Sequence, residues 1–239
     1  LSLRRFTLIG GGALALTAAL LLALLGRGAR KEPERPALAP SPPAQSSAEP
    51  REGLAMRNLG FRLLGRSDPE QVKAGMQALT EAAARGDVEA ELSLGRIHLA
   101  GIPTVPKDVT RAREHFLRAE SSRHPSAAYF LGVMSQNGQG VKADPREAAR
   151  WFEIAAERGS PDATFLLANA YRAGAGVPKD DKKAIELYEK AGELEHAPAL
   201  QTLAMAYLHG ELGLERDEAE YRRYMMEAEH ALQHRPIPP

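Results

Sequence analysis

Residues 127–162 read AAYFLGVMSQNGQGVKADPREAARWFEIAAERGSPD, and most features of this stretch return elsewhere in the chain at one interval. With Ala127 as the mark, alanine stands at the matching place at Ala90, Ala163 and Ala199, giving steps of 37, 36 and 36 residues. Four places beyond each mark comes a leucine: Leu94, Leu131, Leu167 and Leu203. Five places on is a glycine or alanine (Gly95, Gly132, Ala168, Ala204), and eleven on is a glycine (Gly101, Gly138, Gly174, Gly210). On an α-helix, steps zero, four, five and eight share one stripe, so these are the core positions of a first helix in each unit. The small residue at step five admits another helix at close range.

Working outward, each closing glycine is followed by a short turn and an aspartate: Asp108, Asp144, Asp180 and Asp217. Aspartate is a helix-capping residue, and Pro145 suits the first position of the helix that would follow. Ala112, Ala148, Ala184 and Tyr221 stand four places beyond the aspartates, and Ala119, Ala155, Ala191 and Ala228 eleven beyond. The unit therefore reads helix, glycine turn, helix, loop. A weaker copy precedes these. ALTEAAARGDVEA, residues 78–90, reads as a second helix ending at Gly86, and Ala55, Leu59, Gly60 and Leu63 repeat the first-helix pattern. The alternative for this stretch is a membrane-surface helix built on Arg57, Arg62, Arg66, Phe61 and Leu64. The units expected are 54–89 (degenerate), 90–126, 127–162, 163–198 and 199–234, with a tail at 235–239.

Two turns, NGQGVKAD (137–144) and AGAGVPKD (173–180), imitate a phosphate-binding loop. That loop lies between a strand and a helix and ends Gly-Lys-Ser/Thr; no strand pattern precedes these turns and no such ending follows. Glycine recurs because a helix end needs a residue that tolerates positive φ, and a second glycine helps the chain reverse.

The pattern A-x3-LG…G-x-GV…D-x2-EA-x2-WF-x2-AA-x2-G-x3-A from Ala127 to Ala163 resembles the Sel-one-like repeat, a branch of the tetratricopeptide-like helical solenoids. Residues 90–230 carry it well and 54–89 loosely. Departures are GIPTVPKD (101–108) and GELGLERD (210–217) in the turns, and His115, Leu187 and Tyr224 at the place of Trp151. The resemblance implies an all-α, right-handed α-solenoid of about five antiparallel helix pairs, serving as a curved, non-catalytic protein-binding scaffold. Proteins similar to this family act as assembly adaptors and, in some bacteria, as immunity proteins that block secreted toxins such as antibacterial lipases.

First helices of such repeats line the inner curve, so the binding wall should lie opposite the core stripe, at steps two, six, nine and ten. The candidate protein-binding residues are Arg96, Tyr129, Val133, Asn137, Phe165, Asn169, Arg172, Met205 and His209. A contiguous apolar patch rimmed by polar groups is the composition of a protein-binding surface. The alternative is that Tyr129 and Phe165, which hold the same place in neighbouring units, pack between repeats.

Lys+Arg and Asp+Glu balance at 31 each in 239 residues, which gives no electrostatic case for nucleic acid. Cysteine is absent, which excludes disulfides and thiolate chemistry. An uncharged run from Phe6 to Gly26 is long enough to span a bilayer, and no small-x-small cleavage site follows directly, so residues 1–26 read as an uncleaved transmembrane anchor rather than a signal peptide. Residues 27–53, rich in Pro, Ala, Ser and Glu, read as a disordered linker. The expected setting is a single-pass protein of the bacterial inner membrane, its repeats in the periplasm, bound to another protein such as a toxin or an envelope-complex component. No cofactor or catalytic residue is expected. Two other classes stay open: a metal-dependent hydrolase using His230 and His234 with Glu227, and a homo-oligomer whose end repeats stack between chains.

Overall fold

Each second helix of the array starts where the aspartate of its unit ends the turn. Asp108 accepts a hydrogen bond from the Arg111 amide at 3.0 Å, Asp144 from Arg146 at 2.9 Å, and Asp180 from Lys183 at 2.9 Å. Asp217 accepts from Ala219 at 2.8 Å. The same aspartates close the turn backwards. Their own amides donate to the carbonyls of His98, Ser135, Tyr171 and Tyr207, at 2.8 to 3.0 Å. One residue thus satisfies groups at the end of one helix and the start of the next, which fixes the angle between them.

The computed structural model describes residues 49–66 and 68–233. The anchor expected over 1–26, most of the 27–53 linker, and the 235–239 tail lie outside these residues. The helices are α1 (Glu49–Leu64), α2 (Pro69–Ala84), α3 (Val88–Ala100), α4 (Val109–Ser121), α5 (Pro125–Asn137), α6 (Pro145–Glu157), α7 (Pro161–Ala173), α8 (Asp181–Glu193), α9 (Ala197–His209) and α10 (Glu218–Gln233). Packing is densest within the pairs α1–α2, α3–α4, α5–α6, α7–α8 and α9–α10, and thinner between one pair and the next. Residues 49–233 therefore form an all-helical solenoid. Its one β feature among the described residues is a bridge between Ile102 and Val105, inside the departing 101–108 turn.

The expected core stripe is the observed one. Ala90, Ala127, Ala163 and Ala199 are buried, as are Leu94, Leu131, Leu167 and Leu203. Each such leucine contributes about 1.5–3 kcal/mol of transfer free energy. At step five the small residue faces a ring of the second helix. A Cβ on Gly95 would lie 2.6 Å from the Phe116 ring, and one on Gly132 2.6 Å from the Phe152 ring. Both phenylalanines are fully buried.

The turn glycines have two jobs. Gly138, Gly174 and Gly210 end α5, α7 and α9 in the left-handed conformation, with φ of 66°, 68° and 68°. In two of these turns a second glycine does more than reverse the chain. Gly140 packs on the Val109 carbonyl, and a Cβ on Gly176 would lie 2.0 Å from the Pro145 carbonyl oxygen. Val109 and Pro145 open α4 and α6, so these two turns sit on the start of the preceding unit's second helix.

Two expectations at the amino-terminal end need correction. α1 begins at Glu49, inside the stretch assigned to the linker. Composition could not reveal that Gly53 is buried beside Ala82, Arg85 and Asp87, or that Glu52 pairs with Arg85 at 3.5 Å. Of the pattern expected on α1, Gly60 is buried and Leu63 half-buried, but Ala55 and Leu59 are exposed, and Gly53 is buried beside them. Gly60 marks a close crossing with α2. A Cβ on Gly60 would lie 2.8 Å from Leu79, and one on Gly75 3.0 Å from the Gly60 carbonyl, so the two helices meet backbone to backbone there.

Candidate protein-binding surface

The first helices carry the wall read from the sequence, and the solenoid divides its members into two groups. Arg96 on α3, Asn137 at the end of α5, Arg172 on α7, and Met205 and His209 on α9 are exposed. Met205 keeps 44% of its surface in contact with solvent although it is apolar. Tyr129, Val133, Phe165 and Asn169 are half-buried.

The half-buried group is held by neighbouring elements. The Phe165 ring lies 4.8 Å from that of His196 and 5.8 Å from that of Tyr188. Tyr129 meets Phe130 edge-on at 5.1 Å, and Phe130 stacks on Phe116 at 4.7 Å. Burial pushes the Tyr129 phenol pKa up. Asn169 Oδ1 accepts a 2.6 Å hydrogen bond from the Tyr188 hydroxyl. The two aromatics at step two therefore take part in packing, and their rings are turned to different partners. Arg172 reaches Glu211 at 3.3 Å and so links the α7 unit to the turn of the next.

Two features have no signal in the repeat pattern. His124 and His196 act as helix caps: their Nδ1 atoms accept from the amides of Ser126 and Ala199, each at 3.2 Å. They stand where Asp87 and Ser160 cap α3 and α7. The second is a polar cluster on the α3–α4 pair. Glu91 accepts from Arg118 Nε at 2.9 Å and lies 2.6 Å from His115 Nδ1. Burial pushes the Glu91 carboxyl up, but these hydrogen bonds outweigh it and hold the group below its ordinary range. The His115 ring stacks on that of His98 at 5.5 Å, and His98 Nδ1 is buried with no hydrogen-bond partner.

His230 is exposed on α10 and its expected companion His234 lies outside the described residues. Among the described residues no three His, Asp or Glu side chains gather in a metal-holding group. No helix among them is long and apolar enough to cross a membrane; the Phe6–Gly26 run lies outside them.

The family model of the Sel1 repeat matches residues 88–124, 125–160, 161–196 and 197–220. The chain belongs to the Sel1 repeat family. Each matched Sel1 unit opens on the first residue of α3, α5, α7 or α9, two places ahead of the alanine marks. The match stops at 220, near the start of α10. A Sel1 repeat protein from Oxalobacter formigenes is similar at 28% identity and a TM-score of 0.69, over 77% of this chain and 75% of that one. The Escherichia coli protein c5321, described as a protective antigen of uropathogenic strains displaying an SLR fold, is 32% identical with a TM-score of 0.67. That likeness spans 77% of this chain and 39% of the antigen. A component of an ERAD-associated ubiquitin ligase from Arabidopsis thaliana, HRD3B, shares 40% identity over 55 residues, which is 23% of this chain and 9% of the plant protein. Sel1 repeats build protein-interaction scaffolds, and this chain is one of them.

Proposed function

We propose that this Sel1 scaffold grips one partner protein along the row that its first helices present at step six, flanked by the residues at steps nine and ten. The carrying observation is the exposure of Met205 on α9, an apolar side chain one turn before the exposed His209. In this reading the row lines the inner curve. Arg96, Asn137, Arg172, Met205 and His209 touch the partner first, and Tyr129, Val133, Phe165 and Asn169 hold the wall beneath them.

A photo-crosslinking amino acid at position 205 tests it, with one at exposed Glu186 on α8 as the comparison. A discrete protein adduct at 205 and none at 186 is the expected result. Equal labelling of the two positions removes the wall.

The same proposal places the scaffold in the bacterial envelope, held by the Phe6–Gly26 run and the Pro-rich stretch after it. A tethered binder suits the blocking of a secreted toxin, because the tether keeps the inhibitor where the toxin acts; an assembly adaptor is the other use of such a grip. Protease accessibility of the repeats in spheroplasts checks the compartment. Competition between wild-type cells and a deletion strain checks the toxin: loss of the deletion strain on contact is expected, and equal survival discards that role.

A further inference from the structure

The first helices of the matched repeats are capped by two kinds of group in alternation. Asp87 Oδ1 accepts from the Ala90 amide at 3.0 Å, and Ser160 Oγ from the Ala163 amide at 3.3 Å. Following each of these comes an imidazole: His124 caps α5 and His196 caps α9. A hydroxyl oxygen keeps its lone pairs on mild acidification, whereas an imidazole nitrogen gives up its lone pair to one proton.

The geometry fixes the tautomer. Nδ1 accepts from a backbone amide in both caps, so the hydrogen of the neutral ring sits on Nε2. That nitrogen faces a carboxylate one unit back. His124 Nε2 lies 3.1 Å from Glu89 Oε1, and His196 Nε2 lies 3.3 Å from Asp162 Oδ1. Glu89 and Asp162 belong to the first turns of α3 and α7. Each ring thus ties the start of one first helix to the start of the first helix before it.

The other charges near the rings have their own places. Arg57 of α1, Arg85 at the end of α2, and Asp87 and Glu89 at the start of α3 line one cavity of about 380 Å³ with His124. Arg57 bonds Asp87 at 2.9 Å, and Arg85 pairs with Glu81 at 2.6 Å and Glu52 at 3.5 Å, which leaves Glu89 to the ring. His196 packs on the Phe165 ring at 4.8 Å and follows Glu195 in the loop. The Tyr129 phenol of α5 feels the same Asp162 carboxylate from its own side.

A proton added at Nδ1 acts oppositely on the two contacts. The new N–H would meet the amide N–H of Ser126 or Ala199, two donors head to head, with a positive charge at the positive end of the helix dipole. At Nε2 the hydrogen bond to the carboxylate becomes an ion pair. The ring therefore stays with Glu89 or Asp162 and releases the amide. Stability from the cap is present while the ring is neutral and is lost as pH falls through the range where histidine titrates, around pH 6.5.

We infer that His124 and His196 are proton-operated caps, which open the starts of α5 and α9 on acidification while α7 stays closed. Nuclear magnetic resonance of the full chain tests this. At pH 7.5 both imidazoles should show the Nε2–H tautomer. Between pH 7.5 and 5.5 the amide proton signals of Ser126 and Ala199 should shift with the midpoints of their own rings, while that of Ala163 stays in place. Opening of the first turns of α5 and α9, read by hydrogen exchange, should rise about fivefold relative to that of α7. His124→Asn and His196→Asn keep a capping oxygen without a titrating group, so they should abolish this pH dependence with helicity unchanged. Rings protonated on Nδ1 at pH 7.5, amide signals that do not move, or asparagine variants that respond like the parent would overturn the inference.

Discussion

Gly176 shows most sharply what one residue does for the repeat. It has a φ of 78°, and an added Cβ would fall 2.0 Å from the Pro145 carbonyl oxygen. Gly159 shares the positive φ, at 84°, but has nothing within 4 Å of the same added atom. Gly176→Ala should therefore cost about 3 kcal/mol or more, and Gly159→Ala about 1 kcal/mol, in urea unfolding of the full chain. Equal losses would mean that the turn does not rest on α6. His98 carries a second prediction. Burial holds its imidazole below the ordinary value of 6.5, helped by the charges of His115 and Arg111 and opposed by Asp108. Below pH 6.5 the unfolded chain takes up a proton that the folded chain refuses. Stability from this group is thus present above that value and lost as pH falls through the window beneath it. His98→Tyr, which copies Tyr171 and Tyr207 at the same step, should reduce the fall in Tm between pH 7.5 and 5.5. A fall as large as in the parent would show that His98 does not set it.

At the scale of the element, each helix is bounded by a short list of groups, and most are visible in the sequence because they act locally. Asp144 caps α6 through the amides of Arg146 and Glu147, at 2.9 and 3.2 Å. Asp144→Ala should cost about 1 kcal/mol of stability, with the loss of protection concentrated in the first turn of α6 in hydrogen exchange. Uniform loss over the whole chain would contradict a local cap. The histidine caps of α5 and α9 escaped the reading because histidine is not a preferred capping residue; only the placement of the ring nitrogen reveals it. α1 escaped in a different way. Of its expected stripe Gly60 does pack, against Leu79 and Gly75 of α2, but Ala55 and Leu59 stay exposed. Glycine marks a close approach, but the sequence does not say to which neighbour.

At the scale of the whole molecule, the core is divided. The largest cluster runs from Ala128 on α5 to Ala231 on α10, a second joins α3, α4 and α5, and a small third holds Leu79, Ala82, Ala90 and Leu94. A solenoid unfolds by units according to local contacts. Amides of α1 and α2 should therefore exchange before those of α7 and α8, at least about tenfold faster. Equal protection along the array would show a single cooperative block. The sequence alone determined the period, the helix pairs, the buried leucines and the aspartate that begins each second helix, because these follow from spacing along one chain. Only the tertiary structure decided which glycine lies against which carbonyl and which of the wall residues stay open to solvent. Those depend on how one unit meets the next, and a residue's distance to another unit is not written in its own neighbourhood.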